Sequence, residues 1–144
     1  RTKQGLRDSF NAPAALNRLD WTRAWTGPWR ELADYYRGLM ALRPQLPALT
    51  DKRAAAKGRL LAAWRPGRRC AAFRLDNAGP SSRWPELVLA YNAAAPHAVV
   101  LPQGRWQCLA DGENSFLWRA EKPAGISGQA VLPAGAALVL GRLE

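Results

Sequence analysis

The sequence predicts a mainly β chain, an antiparallel β-sandwich preceded by a loop and one α-helix, and three observations carry that reading. Residues 29–42 repeat their apolar positions at helical spacing. From about residue 48 the pattern changes to short apolar runs rich in Val, Leu and aromatic residues. Gly and Pro break those runs at the intervals of an all-β fold.

Residues 1–28 are polar and irregular. Gly5, Pro13, Gly27 and Pro28 interrupt them, and Ser9, Asn11, Asn17 and Asp20 favour turns and caps. This is an ordered loop with at most a short helical turn. Thr26 is the candidate N-cap of the helix that follows, and Pro28 fits its first turn, where a missing N–H costs nothing. Acidic Glu31 and Asp34 lie near the start and Arg37 and Arg43 near the end, an order that suits the helix dipole. Trp29, Leu32, Tyr36, Leu39 and Met40 form one apolar stripe. Pro44 stops the helix at Arg43, because the residue before a proline is pushed out of the α region.

Strands are expected at 60–64, 70–75, 87–93, 98–101, 106–110, 129–132 and 136–141. Arg65-Pro-Gly-Arg68 is a turn that joins the first two as a hairpin. Pro102-Gln-Gly104 is read as a second hairpin turn, joining 98–101 to 106–110. A lone helix with no preceding strand and no partner helix is an unbalanced start for a domain, so a missing upstream part is expected.

Composition narrows the function. The chain has 144 residues, 48% of them hydrophobic and 22% charged, enough to bury a core. Its formal charge of +10 comes from 17 Arg and 4 Lys spread along the chain. The densest stretches, Lys52-Arg53, Lys57-Gly-Arg59 and Arg65 to Arg69, accompany no nucleic-acid-binding motif, so no nucleic-acid partner is expected. No apolar run approaches the ~18 residues that span a membrane, and no membrane partner is expected. Cys70 and Cys108 make neither a metal motif nor a disulfide framework, and two buried thiols are expected rather than one disulfide. His97 is the one histidine and has no ligand-spaced neighbour. Neither metal nor cofactor is expected.

The run Arg1-Thr-Lys-Gln-Gly5, then Asp8-Ser-Phe-Asn-Ala-Pro13, then Asn17-Arg-Leu-Asp-Trp21 resembles a passage of type I pullulanases, which belong to the α-amylase-like glycoside hydrolases. There a similar R-T-K … S-Y-N-x-P-D … N-x-L-D-W passage follows the last barrel strand. Asp34-Tyr-Tyr-Arg-Gly-Leu-Met-Ala-Leu-Arg43 is similar to that family's last barrel helix. Val88 to Ala93 and Leu101-Pro-Gln-Gly-Arg-Trp106 look like its C-terminal sandwich, and Val131-Leu-Pro to Leu140 like its closing strands. The likeness is specific in the first 43 residues and looser at 77–85 and 111–123.

The resemblance implies that residues 1–47 are what is left of a (β/α)8 barrel, its last βα loop and last helix, and that residues 48–144 are the C-terminal β-sandwich domain. It implies a parent enzyme that hydrolyses α-1,6 linkages in pullulan, starch or limit dextrins with a nucleophilic Asp and an acid/base Glu from earlier strands. On that reading this chain has no catalytic residue of its own and supports the parent, which meets the α-glucan. Barrel active sites lie on the loops after the strands, so Asp8 and Asn11 are the candidate substrate-binding residues. Phe10 is a candidate stacking residue, and the family's Asp of the N-x-P-D step is Ala14 here. Asp20 is expected to cap the loop and Trp21 to bury against the barrel.

The helix stripe is expected to be covered by the sandwich, or by a second copy in a homodimer of the isolated chain. Asp51, Asp76, Glu86, Asp111, Glu113 and Glu121 are expected to be solvated surface charges. Two further classes stand as alternatives. A starch-binding module would need two or three of Trp64, Trp84, Trp106 and Trp118 exposed in line, and a basic nucleic-acid-binding domain would need a continuous positive face.

Overall fold

The structure, a computed structural model, describes residues 13, 18, 20–52, 54–115 and 124–143. The chain forms two compact units, Arg1–Asp34 and Tyr35–Glu144. In the first, a 3-10 turn at Trp21–Trp25 precedes helix α1, Gly27–Leu42. The Asp20 carboxylate caps the turn by accepting from the backbone N–H of Thr22 at 3.2 Å and from its hydroxyl, and it pairs with Arg23 at 3.4 Å. These contacts hold its carboxyl below the usual range, the Thr22 hydroxyl contributing most. The Thr26 carbonyl accepts the Arg30 N–H at 3.3 Å, as a cap residue's carbonyl does. Within α1, Arg30 pairs with Asp34 one turn on.

The second half of α1 belongs to the second unit. The helix ends where Pro44 forces a 3-10 turn, Arg43–Gln45. A short helix α2, Pro47–Thr50, and a 3-10 segment, Ala54–Arg59, lead to the strands. These are β1 Leu60–Trp64, β2 Cys70–Asp76, β3 Glu86–Asn92, β4 His97–Val100, β5 Arg105–Ala110, β6 Gln129–Leu132 and β7 Ala137–Leu143. All seven lie within a residue or two of their predicted places. They make a five-stranded sheet in the order β1-β2-β3-β7-β5 and a two-stranded sheet of β4 and β6. Every pairing is antiparallel.

Register sorts the side chains. Along β3, Val88 and Ala90 share a face with their cross-strand neighbours Leu140, Leu138 and Ala72, and with Cys108 of β5. That face buries against Val99, Leu101, Ala130 and Leu132 from the small sheet and its flank, with Trp106 between them. This is the sandwich core. The opposite face, through Leu87 and Leu109, buries against Leu42, Leu46 and Trp84. A register shift between Cys108 and Ala110 accompanies the turning of Leu109 to this second core. The five-stranded sheet is therefore covered on both faces along β3, β7 and β5, and each fully buried leucine contributes about 2 kcal/mol.

Two expectations are corrected. Pro102-Gln-Gly104 does not close a hairpin, because β4 pairs with β6 while β5 pairs with β7. The burial patterns give the reason. β5 is buried on both faces from Trp106 to Ala110, so it belongs to the doubly covered sheet. β4 exposes Ala98 and Val100, so it belongs to the outer layer. The segment carries the chain between layers, and the Trp106 indole N–H donates to the Pro102 carbonyl at 2.9 Å to hold the crossing. The second correction concerns α1. In the second unit the face it buries runs through Gly38, Leu39 and Leu42, and Tyr35 donates its hydroxyl to the Asp111 carbonyl at 2.9 Å. Of the predicted stripe only Leu39 packs on a core. Tyr36 and Met40 are exposed, as are Trp29 and Leu32 in the first unit.

Candidate functional site

The candidate sugar contacts Asp8 and Asn11, with Phe10 and Ala14, lie outside the described residues. Trp21 is exposed. Chemistry elsewhere would need a carboxylate pair, and one pairing brings two carboxylates together: Asp76 on β2 stands directly opposite Glu86 on β3. Cross-strand partners of this kind have Cβ atoms about 5 Å apart, close to the separation a retaining glycosidase uses.

The environment of that pair is wrong for acid/base work. Glu86 takes a forked grip from Arg74, Nε to Oε2 at 2.7 Å and Nη2 to Oε1 at 2.9 Å, and Arg142 Nη1 reaches Oε1 at 2.7 Å. The Arg74 guanidinium, and after it Arg142, holds the Glu86 carboxyl below the ordinary range. A general acid needs the reverse shift. Asp76 accepts from the Ala78 N–H at 2.8 Å and so terminates its own strand. Glu86 was expected to be a solvated charge, but it is a clamped one that crosses three strands. Asp51 departs in the same way: its side chain is buried and paired with Arg59, which also donates to the carbonyls of Asp76 and Ala78. Asp111 accepts from the N–H groups of Glu113 and Asn114, making a turn. Glu121 lies outside the described residues.

Two buried asparagines that sequence reasoning missed do more positional work than any acid. Asn77 is fully buried between β2 and β3. Its carbonyl oxygen accepts the Ala48 N–H, and its amide faces the carbonyls of Gln45 and Trp84 and the Ser82 hydroxyl. Asn92, at the far end of β3, accepts from Ala94 N–H and faces the carbonyls of Ala95, Leu132 and Pro133. The available signal was an Asn just after the predicted strand 70–75 and an Asn near the end of the predicted strand 87–93, which local pattern cannot tell from solvated turn residues.

Among the described residues, the tryptophans of the sandwich give no sugar platform. Trp84 and Trp106 are fully buried, Trp64 is half-buried and packs against the sandwich core, and Trp118 lies outside the described residues. His97 is half-buried on β4, where its Nε2–H donates to the Pro66 carbonyl at 2.6 Å and braces the β1–β2 turn. Cys70 and Cys108 are free and buried. Register sets Cys70 opposite Asn92 and Cys108 opposite Leu140, so they sit in different strand pairs. Burial, aided by the charge of Asp111, pushes the Cys108 thiol up to about 12.

What decides the family is the likeness of the whole arrangement. The chain is 31% identical to the pullulanase of Bacillus subtilis over 94 residues, which is 65% of this chain and 13% of that protein. It is 32% identical to a glycogen debranching enzyme of Escherichia fergusonii over 123 residues, 75% of this chain and 17% of that protein. The solved structure of the type I pullulanase of Bacillus subtilis, complexed with maltose, superposes on all of this chain with a TM-score of 0.77 at 26% identity. This chain is a pullulanase-type segment.

No protein-family model matches it. The segment spans less than a fifth of the length of the curated relatives it matches, and 20% of the superposed pullulanase. Its mainly antiparallel strands with one long helix match a pullulanase C-terminal β-domain, and among the described residues there is no closed barrel. The segment corresponds to a region of a debranching glycoside hydrolase.

Proposed function

We propose that this chain is the C-terminal supporting part of an enzyme that cleaves α-1,6-glucosidic linkages in pullulan, starch or limit dextrins. Residues 1–47 are the last loop and helix of its barrel, and residues 48–144 are its β-sandwich. The observation that carries the reading is the superposition of the whole chain on a pullulanase crystallised with maltose. The nucleophilic Asp and the acid/base Glu stand in the parent's earlier strands. This chain's work is to hold the last barrel helix, through Leu39, Leu42 and Leu46, on the buried β3, β7 and β5 part of the sheet.

The clamped state of Glu86 supports a structural role, since its proton is the least available where an acid would need it most. The exposed aromatic residues of α1 are the surface the parent's barrel covers. Without the barrel, a second copy of the chain covers them and the isolated chain dimerises. The α-glucan is reached through the parent, with Asp8 and Asn11 contacting it from the last loop. Nucleic acid and membrane are not partners.

Two measurements test this. The isolated chain incubated with pullulan should release no maltotriose, and release abolished by replacing Glu86 or Asp76 would overturn the supporting role. In the parent, Asp8→Ala or Asn11→Ala should raise KM for pullulan with the fold intact, and an unchanged KM in both would remove these residues from the glucan site.

A further inference from the structure

The two edges of the five-stranded sheet are finished differently. At β5, the segment around Ile126 closes the edge. Trp106 N–H donates to the Ile126 carbonyl at 2.8 Å and Ile126 N–H donates back at 2.7 Å. A second bridge joins Ala110 to Ser115. At β1, no described residue pairs with the outer side, and β2 is its strand partner. An edge strand left this way turns a row of backbone N–H and C=O groups outward.

The side chains of β1 are unusual for a free edge. Leu60 and Leu61 are 51% and 49% exposed, and Ala62 and Ala63 are exposed as well. Four apolar residues in succession therefore stand in solvent, on both faces. Positive charge brackets them. Lys52 and Lys57 are exposed before the strand, and Arg65, Arg68 and Arg69 are exposed on the turn after it. That turn is fixed rather than loose, since His97 holds the Pro66 carbonyl and Cys70 N–H holds the Gly67 carbonyl at 3.2 Å.

The charge selects the occupant. In an antiparallel pair of two copies, Lys57 of each would lie beside the Arg65–Arg69 turn of the other. A parallel pair would set like ends together. Both repel. A segment with acidic ends is attracted at both ends of β1, while its apolar middle covers the leucines. We propose that the free edge of β1 is a docking strand, and that it takes an extended partner segment with an aliphatic centre flanked by Asp or Glu. Backbone pairing along β1 supplies the affinity, and the arginine turn supplies the selection.

The test uses the full 144-residue chain and two blocked octapeptides, Glu-Glu-Val-Thr-Val-Thr-Glu-Glu and its counterpart with Lys at every Glu position. NMR titration and amide hydrogen exchange are read at residues 60–64. The acidic peptide should shift those amides and slow their exchange, and raising salt from roughly 50 to roughly 200 mM should weaken it. Combined Arg65→Glu and Arg68→Glu should weaken it about tenfold, and the milder Arg65→Gln with Arg68→Gln should act in the same direction if the reversal variant does not fold. Equal binding of the two peptides would overturn the proposal. So would acidic binding that leaves residues 60–64 unperturbed, or no binding at all. Self-association of the chain through 60–64 without peptide would replace the acidic partner with a second copy.

Discussion

Replacing Asn77 with Ala should cost the second unit about 2–5 kcal/mol, and the structure says where the loss arises. Asn77 is fully buried. Its oxygen accepts the Ala48 N–H at 3.1 Å, and its amide faces the Gln45 carbonyl at 3.2 Å and the Trp84 carbonyl and Ser82 hydroxyl, both at 2.8 Å. Truncation does not orphan all four. The Ser82 hydroxyl also donates to the Trp84 carbonyl at 2.7 Å, so that pair stays satisfied. The Ala48 N–H and the Gln45 carbonyl lose their Asn77 partner. A buried polar group left unsatisfied costs about 1–3 kcal/mol, and the vacated side-chain volume adds a smaller cavity cost. Urea unfolding followed by tryptophan fluorescence measures the change. Asn77→Asp is the control: it keeps the acceptor for Ala48 but sets a carboxylate against two carbonyls, so it should destabilise at least as much. A loss below about 1 kcal/mol for Asn77→Ala would show that water replaces the side chain and that it does not tie residues 45–48 to the β2–β3 connection.

Four further outcomes follow from the same geometry. Glu86→Gln should cost about 1 kcal/mol at pH 7, a modest figure because Arg142 is over a third exposed. Its carboxyl is depressed in the folded state, so the contribution is complete above the ordinary glutamate value of 4.5 and is lost as pH falls through the lower folded value. Urea midpoints of the two proteins should therefore converge on acidification, and a gap that widens below pH 4 would contradict the Arg74 clamp. Ser115→Ala should be neutral or stabilising by up to about 1 kcal/mol, because the Ser115 hydroxyl is buried without a hydrogen-bond partner among the described residues. Gly38→Ala should instead destabilise by about 1–3 kcal/mol, since a Cβ there would run into that same hydroxyl. Thermal melts of both variants check the pair. The Cys108 thiol, pushed up to about 12 by burial, should not react with a disulfide reagent at pH 8 until the protein unfolds, and rapid labelling of the folded chain would refute its burial.

The sequence by itself determined the elements. Strand positions, the helix stop at Pro44 and the Arg65–Arg68 turn were legible because each depends on a few neighbouring residues: alternation, a proline's fixed φ, a Pro-Gly step. It also carried the family, since the motifs around Asn17-Arg-Leu-Asp-Trp21 and Asp34-Tyr-Tyr-Arg are linear strings. Tertiary structure decided which strands meet. Pro102-Gln-Gly104 has the residues of a hairpin turn, yet it crosses between layers because β5 must bury two faces and β4 only one. Tertiary structure also turned the helix, choosing the Gly38, Leu39 and Leu42 face over Tyr36 and Met40, and the missing side chain at Gly38 admits the close approach of Ser115. And it gave Glu86 its two arginines, one from β2 and one from β7, 12 and 56 residues away. Local spacing sets φ, ψ and periodicity, but a partner at that separation is set by register and layer, which no short window of sequence contains.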